Sequence, residues 1–338
     1  MVSGEGCYVI AEIGQAHEGS LGILHSYIDA VASTGADAIK FQTHIAEAES
    51  SIHEPFRVKF SYEDASRYDY WQRMSFSETQ WHGIAKHCKE VGLDFISSPF
   101  SIAAVELLER VGVEKYKIGS GEVSNLLLLE KVAKTGKPVI ISSGMSSLDE
   151  LDLAVNHLRK YTNDISILQC TSSYPVPPEK LGLNVISELK SIYDYPIGLS
   201  DHSSTIYPSI AAVALGAEII EAHIVFDKSM FGPDSKSSLD VNEFKSMVEG
   251  VNYLNLAMQN PVDKSTSKDF LEMKKIFEKS LAVNKSLKAG TVITLDDLES
   301  KKPANMGICA GQYKSILGKK LNKDLSQWEF ITGSDIDE

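Results

Sequence analysis

Eight short, β-branched-rich apolar runs punctuate the first two-thirds of this chain, and their rhythm limits what it can fold into. They are Tyr8–Gly14, Ala38–Thr43, Asp94–Pro99, Tyr116–Ser120, Val139–Gly144, Ser166–Thr171, Ile197–Asp201 and Ile219–Val225. Amphipathic stretches such as Ala103–Val111 and Leu148–Tyr161 lie between them, typically followed by glycine before the next run. Alternation of strand-like and helix-like segments implies parallel strands joined by right-handed helical crossovers. Eight repeats fit a closed (β/α)8 barrel of the TIM type better than an open doubly wound sheet. No GxGxxG turn follows the first run, which speaks against a dinucleotide-binding fold.

At 338 residues the chain exceeds what one hydrophobic core usually organises. The barrel is expected over residues 1–260, a linker with a helix near Phe270–Lys279 over 261–279, and a small, mostly β domain over 280–338. In that tail, runs such as LKAGTVIT and QWEFITGSD break the βα rhythm. A net charge of −13 argues against nucleic acid as a partner. It leaves room for a small anion opposite a local pair of lysines. No uninterrupted apolar stretch of membrane-spanning length and no signal-peptide pattern occurs, so a cytoplasmic protein with no membrane partner is expected. Cys7, Cys88, Cys170 and Cys309 lack CxxC spacing and read as reduced, buried thiols.

Side chains alternate faces along a strand, and barrel enzymes carry their chemistry where the strands end. Period-two reading places Glu12, Lys40 with Gln42, Ser98, Lys117, Ser142, Cys170 with Ser172, Ser200 with His202, and Glu221 with His223 on the inner face. A barrel interior built only for stability would favour Val, Ile and Leu. His202 and His223 end adjacent strands, about 5 Å apart, and with Asp234 nearby they are candidates to share a divalent ion. Glu221 could orient a ligand or make a structural ion pair. Lys40 and Lys117 need anions. Glu12 and Glu122 could supply them internally, or the lysines and the hydroxyls of Ser98, Ser120, Ser142, Ser172 and Ser200 could cradle a phosphate or carboxylate. Glu12 and Glu122 are also acid/base candidates. His17 is expected to cap the turn after the first strand. The long connection from Thr43 to Ser77, rich in aromatic residues (Phe56, Phe60, Tyr62, Tyr68, Tyr70, Trp71), reads equally as a lid or as a packed surface subdomain.

These residues resemble the sialic acid synthase family. The resemblance is carried by AEIG at Ala11–Gly14, HEGS at His17–Ser20, KFQTH at Lys40–His44, YKIGSGE at Tyr116–Glu122 and SSGM at Ser142–Met145. CTSSYP at Cys170–Pro175, GLSDH at Gly198–His202 and GPD at Gly232–Asp234 extend it. The tail resembles that family's antifreeze-like SAF domain, a β-clip fold. The resemblance implies a metal-dependent transferase that condenses phosphoenolpyruvate with an open-chain acetamido hexose. The products would be a nine-carbon 2-keto (nonulosonic) acid and phosphate. It implies Mn²⁺ or Mg²⁺ on His202 and His223, and phosphoenolpyruvate on Lys40, Gln42, Ser98, Lys117, Ser120, Ser142, Ser172 and Ser200. Glu12, Glu122 and Asp234 would be catalytic, Glu12 handling the proton and water chemistry. Phe100, Glu122, Tyr174, Asp234 and Lys302 would hold the sugar, Lys302 from the partner chain of a domain-swapped homodimer. Two positions depart from the family pattern: Ala16 replaces a common asparagine, and Lys302 replaces an arginine whose planar fork lysine cannot reproduce. A metal-dependent pyruvate aldolase and a non-catalytic sugar-binding protein are the alternative readings.

Overall fold

The computed structural model describes residues 6–56 and 62–337, so Phe60 of the aromatic connection lies outside the described residues. The chain divides into two compact units, Met1–Asn260 and Pro261–Glu338.

In the first unit the eight runs become β1 (Tyr8–Glu12), β2 (Ala38–Thr43), β3 (Asp94–Pro99), β4 (Lys115–Ile118), β5 (Val139–Ser142), β6 (Ile165–Cys170), β7 (Ile197–Asp201) and β8 (Ile219–Val225). Each pairs in parallel with its sequence neighbour, and β8 pairs back onto β1, closing the barrel. A two-residue strand, β9 (Leu239–Asp240), extends the ladder beyond β8. Strands β1, β4 and β5 stop before the glycine or serine that ends the corresponding apolar run. After β1 the reason is local: Gly14 adopts φ +49, a left-handed conformation that cannot continue a strand.

Helices return the chain between strands, and short polar residues start them. Helix α1 (Leu21–Ala32) begins at Ser20, whose hydroxyl accepts from Ile23 N–H. The connection after β2 holds α2 (Ala46–Glu49) and α3 (Arg67–Met74) before α4 (Glu78–Glu90), with capping boxes at Ser66–Asp69 and Ser77–Gln80. Ala46, Tyr70, Trp71 and Met74 bury one another there, with Phe56 and Tyr68 against them. The long connection is therefore a packed subdomain. His17 does hold its turn, Nδ1 accepting from Gly19 N–H at 3.0 Å.

The barrel interior is layered. At the amino-terminal end Asp94 accepts from Tyr8 Oη and from Lys115 Nζ, both at 2.5 Å. Above this plug sit Ile10, Ala38, Ile96, Ile140, Leu168 and Ile219, an apolar layer. Above that, the inner face turns polar. Gly198 belongs to the apolar layer because nothing larger fits: a Cβ there would lie 2.2 Å from the Ile219 carbonyl oxygen and 2.6 Å from Leu168 Cδ2. Gly198→Ala should cost at least about 1–3 kcal/mol, since backbone cannot yield as a side-chain tip can. A denaturation midpoint equal to wild type would contradict this.

The second unit pairs β10 (Ser280–Val283) antiparallel with β11 (Leu298–Lys301) over a core of Leu281, Val283, Leu287, Ile293, Ile316, Leu321, Leu325 and Ile331. The rest of its pairing comes as isolated bridges, such as Leu287 with Leu325 and Leu321 with Ile336. It is strand-rich in pairing but has little regular strand. Two matching turns, Thr294–Asp297 and Thr332–Asp335, each bury an aspartate that reaches back to the threonine N–H. The helix expected near Phe270–Lys279 spans Leu271–Phe277. Of the four cysteines expected to be buried, Cys7, Cys88 and Cys170 are, but Cys309 of this unit is exposed, because it precedes a short surface turn. Among the described residues, no helix is long and apolar enough to cross a membrane.

Candidate active site

A cavity of about 470 Å³ opens at the carboxyl ends of the strands, a size suited to a small organic substrate. Of the residues expected from sequence, Gln42, Phe100, Ser120, Glu122, Ser172, Tyr174, His223 and Asp234 line it. Glu12, Lys40, Ser98, Lys117, Ser142, Ser200 and His202 instead form a layer beneath, together with Glu221, each at most 4% exposed. The ordering follows from the strands. Glu12 sits beside Lys40 and His223 in register, and Ser200 sits beside Glu221. Lys302 lies in the second unit, its ammonium 4.6 Å from the ring centroid of Phe277.

The lysines have internal partners, but not the pair expected. Lys40 Nζ is 2.8 Å from Glu12 Oε2 and 3.8 Å from Glu221 Oε1, and Lys117 Nζ is 3.4 Å from that same Glu221 oxygen. Glu122 serves neither lysine. It lies in the turn Ser120–Glu122 past the end of β4, accepts from Asn125 at 2.8 Å, and faces the cavity. The second counter-ion is Glu221, carried on β8 inside the barrel. Burial raises the Glu122 carboxyl above its usual range. Burial alone would lower Lys40, but Glu12 and Glu221 outweigh it and the net shift is upward. Lys117 shares Glu221 with Lys40, and burial wins there, holding it below the ordinary lysine range. An anion arriving beside Lys117 would therefore be stabilised by a cation that is short of partners.

Polar groups that face the cavity crowd together near it, Cys170 lying within reach of the Lys117 charge and Ser120 and Ser172 on the cavity wall. A Cβ on Gly144 would fall 2.6 Å from both Ser120 Oγ and Ser172 Oγ and 2.9 Å from Cys170 Sγ. Two hydroxyls and a thiol thus converge where only a hydrogen projects. Gly144 N–H donates to Ser120 Oγ at 3.0 Å, fixing one side of the pocket. Ser142 Oγ is buried nearby on β5 without a hydrogen-bond partner among the described residues, a state that costs about 1–3 kcal/mol until something meets it.

His202 and His223 stand with ring centroids 5.2 Å apart, and Tyr174 is 4.4 Å from His202. Burial first, then the neighbouring His223, hold His202 down to about 3, so it is the neutral, ligating form. Its Nδ1 faces Cys170 Sγ at 3.7 Å. Among the described residues no group of three or more His, Cys, Asp or Glu side chains is arranged to hold a metal ion. Asp234, Gln42 and Glu12 converge on the space left by the missing Cβ of Gly14, at 3.5, 3.6 and 3.7 Å from its position.

One wall of the cavity was not expected. His44 is stacked between Trp71, 3.9 Å away at 17°, and Phe100, 4.6 Å away at 11°. Gln15, Glu49, Glu54, Arg67 and Tyr70 complete that side. Arg67 pairs with Glu54 at 2.9 Å. The packed connection after β2 is thus also a wall of the site. His44 was within reach of sequence, since Lys40, Gln42 and His44 keep one parity; Gln15 and Glu49 carry no such periodic mark.

Fold and site together define a (β/α)8-barrel enzyme with a buried, charged strand-end layer, followed by a small strand-rich domain. The chain belongs to the NeuB family, whose model matches residues 27–264, and residues 278–337 match the SAF domain. It is 36% identical to the N,N'-diacetyllegionaminic acid synthase of Campylobacter jejuni over 96% of this chain and 98% of that one. It is 35% identical to the pseudaminic acid synthase of Helicobacter pylori over 97% of each. A solved N-acetylneuraminic acid synthetase from Leptospira borgpetersenii superposes with a TM-score of 0.70 at 30% identity, covering 79% of this chain and 90% of that one.

Proposed function

We propose that this protein condenses phosphoenolpyruvate with an open-chain acetamido hexose, forming a nonulosonic acid and releasing phosphate. The methylene carbon of phosphoenolpyruvate bonds to the aldehyde carbon, whose oxygen takes a proton; water adds at the carbon that bore the phosphate, and phosphate leaves as the ketone forms. The observation that carries the reading is the hydroxyl cradle at Gly144, with Ser142 Oγ, which has no partner among the described residues, and the under-neutralised Lys117 beside it. Together they suit a doubly anionic donor. Lys40, Lys117, Ser98, Ser120, Ser142, Ser172 and Ser200 hold that donor's phosphate and carboxylate. Glu12, fixed by Lys40 and Gln42, manages the proton and water at the former enol carbon. Glu122 and Asp234, facing the cavity with Phe100 and Tyr174, position the sugar.

His202 and His223 fit a divalent ion such as Mn²⁺ or Mg²⁺ as a pair of imidazole donors, with water or substrate filling its other positions. Such an ion supplies Lewis-acid polarisation of a carbonyl oxygen. We further propose a homodimer in which Lys302 serves the partner's site. The outward apolar residues Leu271, Met273, Ile276 and Phe277, each more than half exposed in the single chain, support association. A fully active monomer in light scattering would refute the dimer.

The test of function is incubation with phosphoenolpyruvate, Mn²⁺ and a panel of acetamido hexoses. Phosphate should appear one for one with a 2-keto acid. Turnover requiring only pyruvate would replace this reading with an aldolase, and unchanged ligands throughout would leave a binding protein.

A further inference from the structure

The hydrogen bonds around His44 form a directed chain whose two ends are carboxylates. At the inner end Glu12 Oε1 accepts from Gln42 Nε2 at 2.7 Å. A carboxylate can only accept, so the amide of Gln42 is oriented with its NH₂ inward and its Oε1 outward. At the outer end Glu49 Oε1 lies 2.5 Å from His44 Nδ1, and its other oxygen accepts from Ile45 N–H at 3.2 Å. Nδ1 must therefore carry the proton. Between the ends, the NH₂ of Gln15 faces two atoms: Gln42 Oε1, to which it donates, and His44 Nε2 at 3.1 Å. An NH₂ has two hydrogens, so it satisfies both only if Nε2 is bare. His44 Nε2 also lies 3.2 Å from Gln42 Oε1, and the Gln15 amide bridges the two acceptors. With the proton on Nδ1 and Nε2 bare, the ring N–H and both hydrogens of the Gln15 amide face acceptors.

The ring cannot turn to escape this assignment. Trp71 of α3 and Phe100 after β3 clamp its two faces, and its side chain is 3% exposed. Glu49 belongs to α2 and Trp71 to α3, so the packed connection after β2 supplies both the carboxylate and one jaw.

We infer that His44 and Glu49 are a positioning pair. Through Gln15 and Gln42 they hold the carboxylate of Glu12 in its reacting orientation, and so couple the β2–α4 subdomain to the chemistry. The inference rests on the proposed function only for the role of Glu12; the tautomer stands apart from it.

Two measurements test it. Long-range ¹H–¹⁵N NMR of the whole protein at neutral pH should find His44 neutral and protonated on Nδ1, because a ring's tautomer follows the bond its nitrogens make. An Nε2-protonated ring or an imidazolium would overturn the inference whether or not any sugar is turned over. His44→Phe keeps the stacked ring but removes both nitrogens. It should lower kcat by about 10–100-fold, the usual effect of losing a group that orients another, with KM for phosphoenolpyruvate within about twofold. His44→Gln, which restores an acceptor near the Nε2 position, should recover part of the loss. In a Gln42→Leu background His44→Phe should cost little more, as expected for residues acting through one another. Wild-type kcat in His44→Phe, or full additivity with Gln42→Leu, would sink the positioning role. If His44→Phe fails to fold, His44→Gln and the tautomer decide. A wild-type enzyme that releases no phosphate would refute the function and leave the tautomer test intact.

Discussion

Gly144→Ala is expected to leave the barrel folded and to cripple it for an anionic donor. Gly144 does not occupy the left-handed region, so its backbone accepts a side chain. The added methyl would lie 2.6 Å from the hydroxyls of Ser120 and Ser172, and one or both must swing away. Ser120 is held by the Gly144 N–H, so its rotation gives up that bond as well. A hydroxyl contact to a charged group is worth about 1.5–3 kcal/mol. Losing two corresponds to a fall of about 10²–10⁴-fold in kcat/KM for phosphoenolpyruvate, and calorimetric binding of phosphoenolpyruvate should weaken alongside. Gly83→Ala is the control. Gly83 is on the exposed face of α4, with none of the described residues within 4 Å of its Cβ position, and alanine there should leave turnover unchanged. If Gly144→Ala keeps kcat/KM within twofold of wild type, the anion does not sit in the cradle.

Much of this geometry was legible in the sequence because a strand's alternation is a property of the backbone. Lys40, Gln42, Ser98, Lys117, Ser142, Ser200, Glu221 and His223 could be assigned to one face before any pairing was known, and the barrel puts them on its inner face. Depth was not legible. Period two says which side chains point inward but not how far each strand is advanced around a staggered barrel. Cavity-lining His223 and buried His202, on neighbouring strands, therefore looked alike. The same gap explains the exchange of Glu122 for Glu221. Both read as strand-end carboxylates, but Glu122 leaves the ladder in a turn while Glu221 lies within β8 in register beside Ser200. The wall formed by Glu49, Arg67, Tyr70 and Trp71 was less legible still. A connection has no period, and its contacts follow from which aromatic side chains bury one another. In the tail, isolated bridges replace continuous strands, so the short β-like runs announced pairing without its partners.

His223→Ala should nearly abolish turnover, and a chelator should do the same to the wild type, reversibly on adding Mn²⁺. The two histidines stand side by side at this end of the barrel, and of the two His223 reaches the cavity wall. Removing it leaves His202 alone beneath, a single nitrogen that cannot retain an ion against water. Lewis-acid assistance is worth several kcal/mol, so the loss should be on the order of 10³-fold or more. Protons should compete weakly at His202. Burial and His223 hold it near 3, so it stays unprotonated through mildly acidic pH and remains available as a donor there. The variant should bind no Mn²⁺ in equilibrium dialysis where wild type binds one per chain. Phosphoenolpyruvate should still bind it, because the cradle at Gly144 and Lys117 draws on β4, β5 and β6 and not on His223. That separation is what makes the result diagnostic. Loss of donor binding together with turnover would mean that the histidine shapes the anion pocket, and full activity in metal-free buffer would remove the ion from the mechanism altogether.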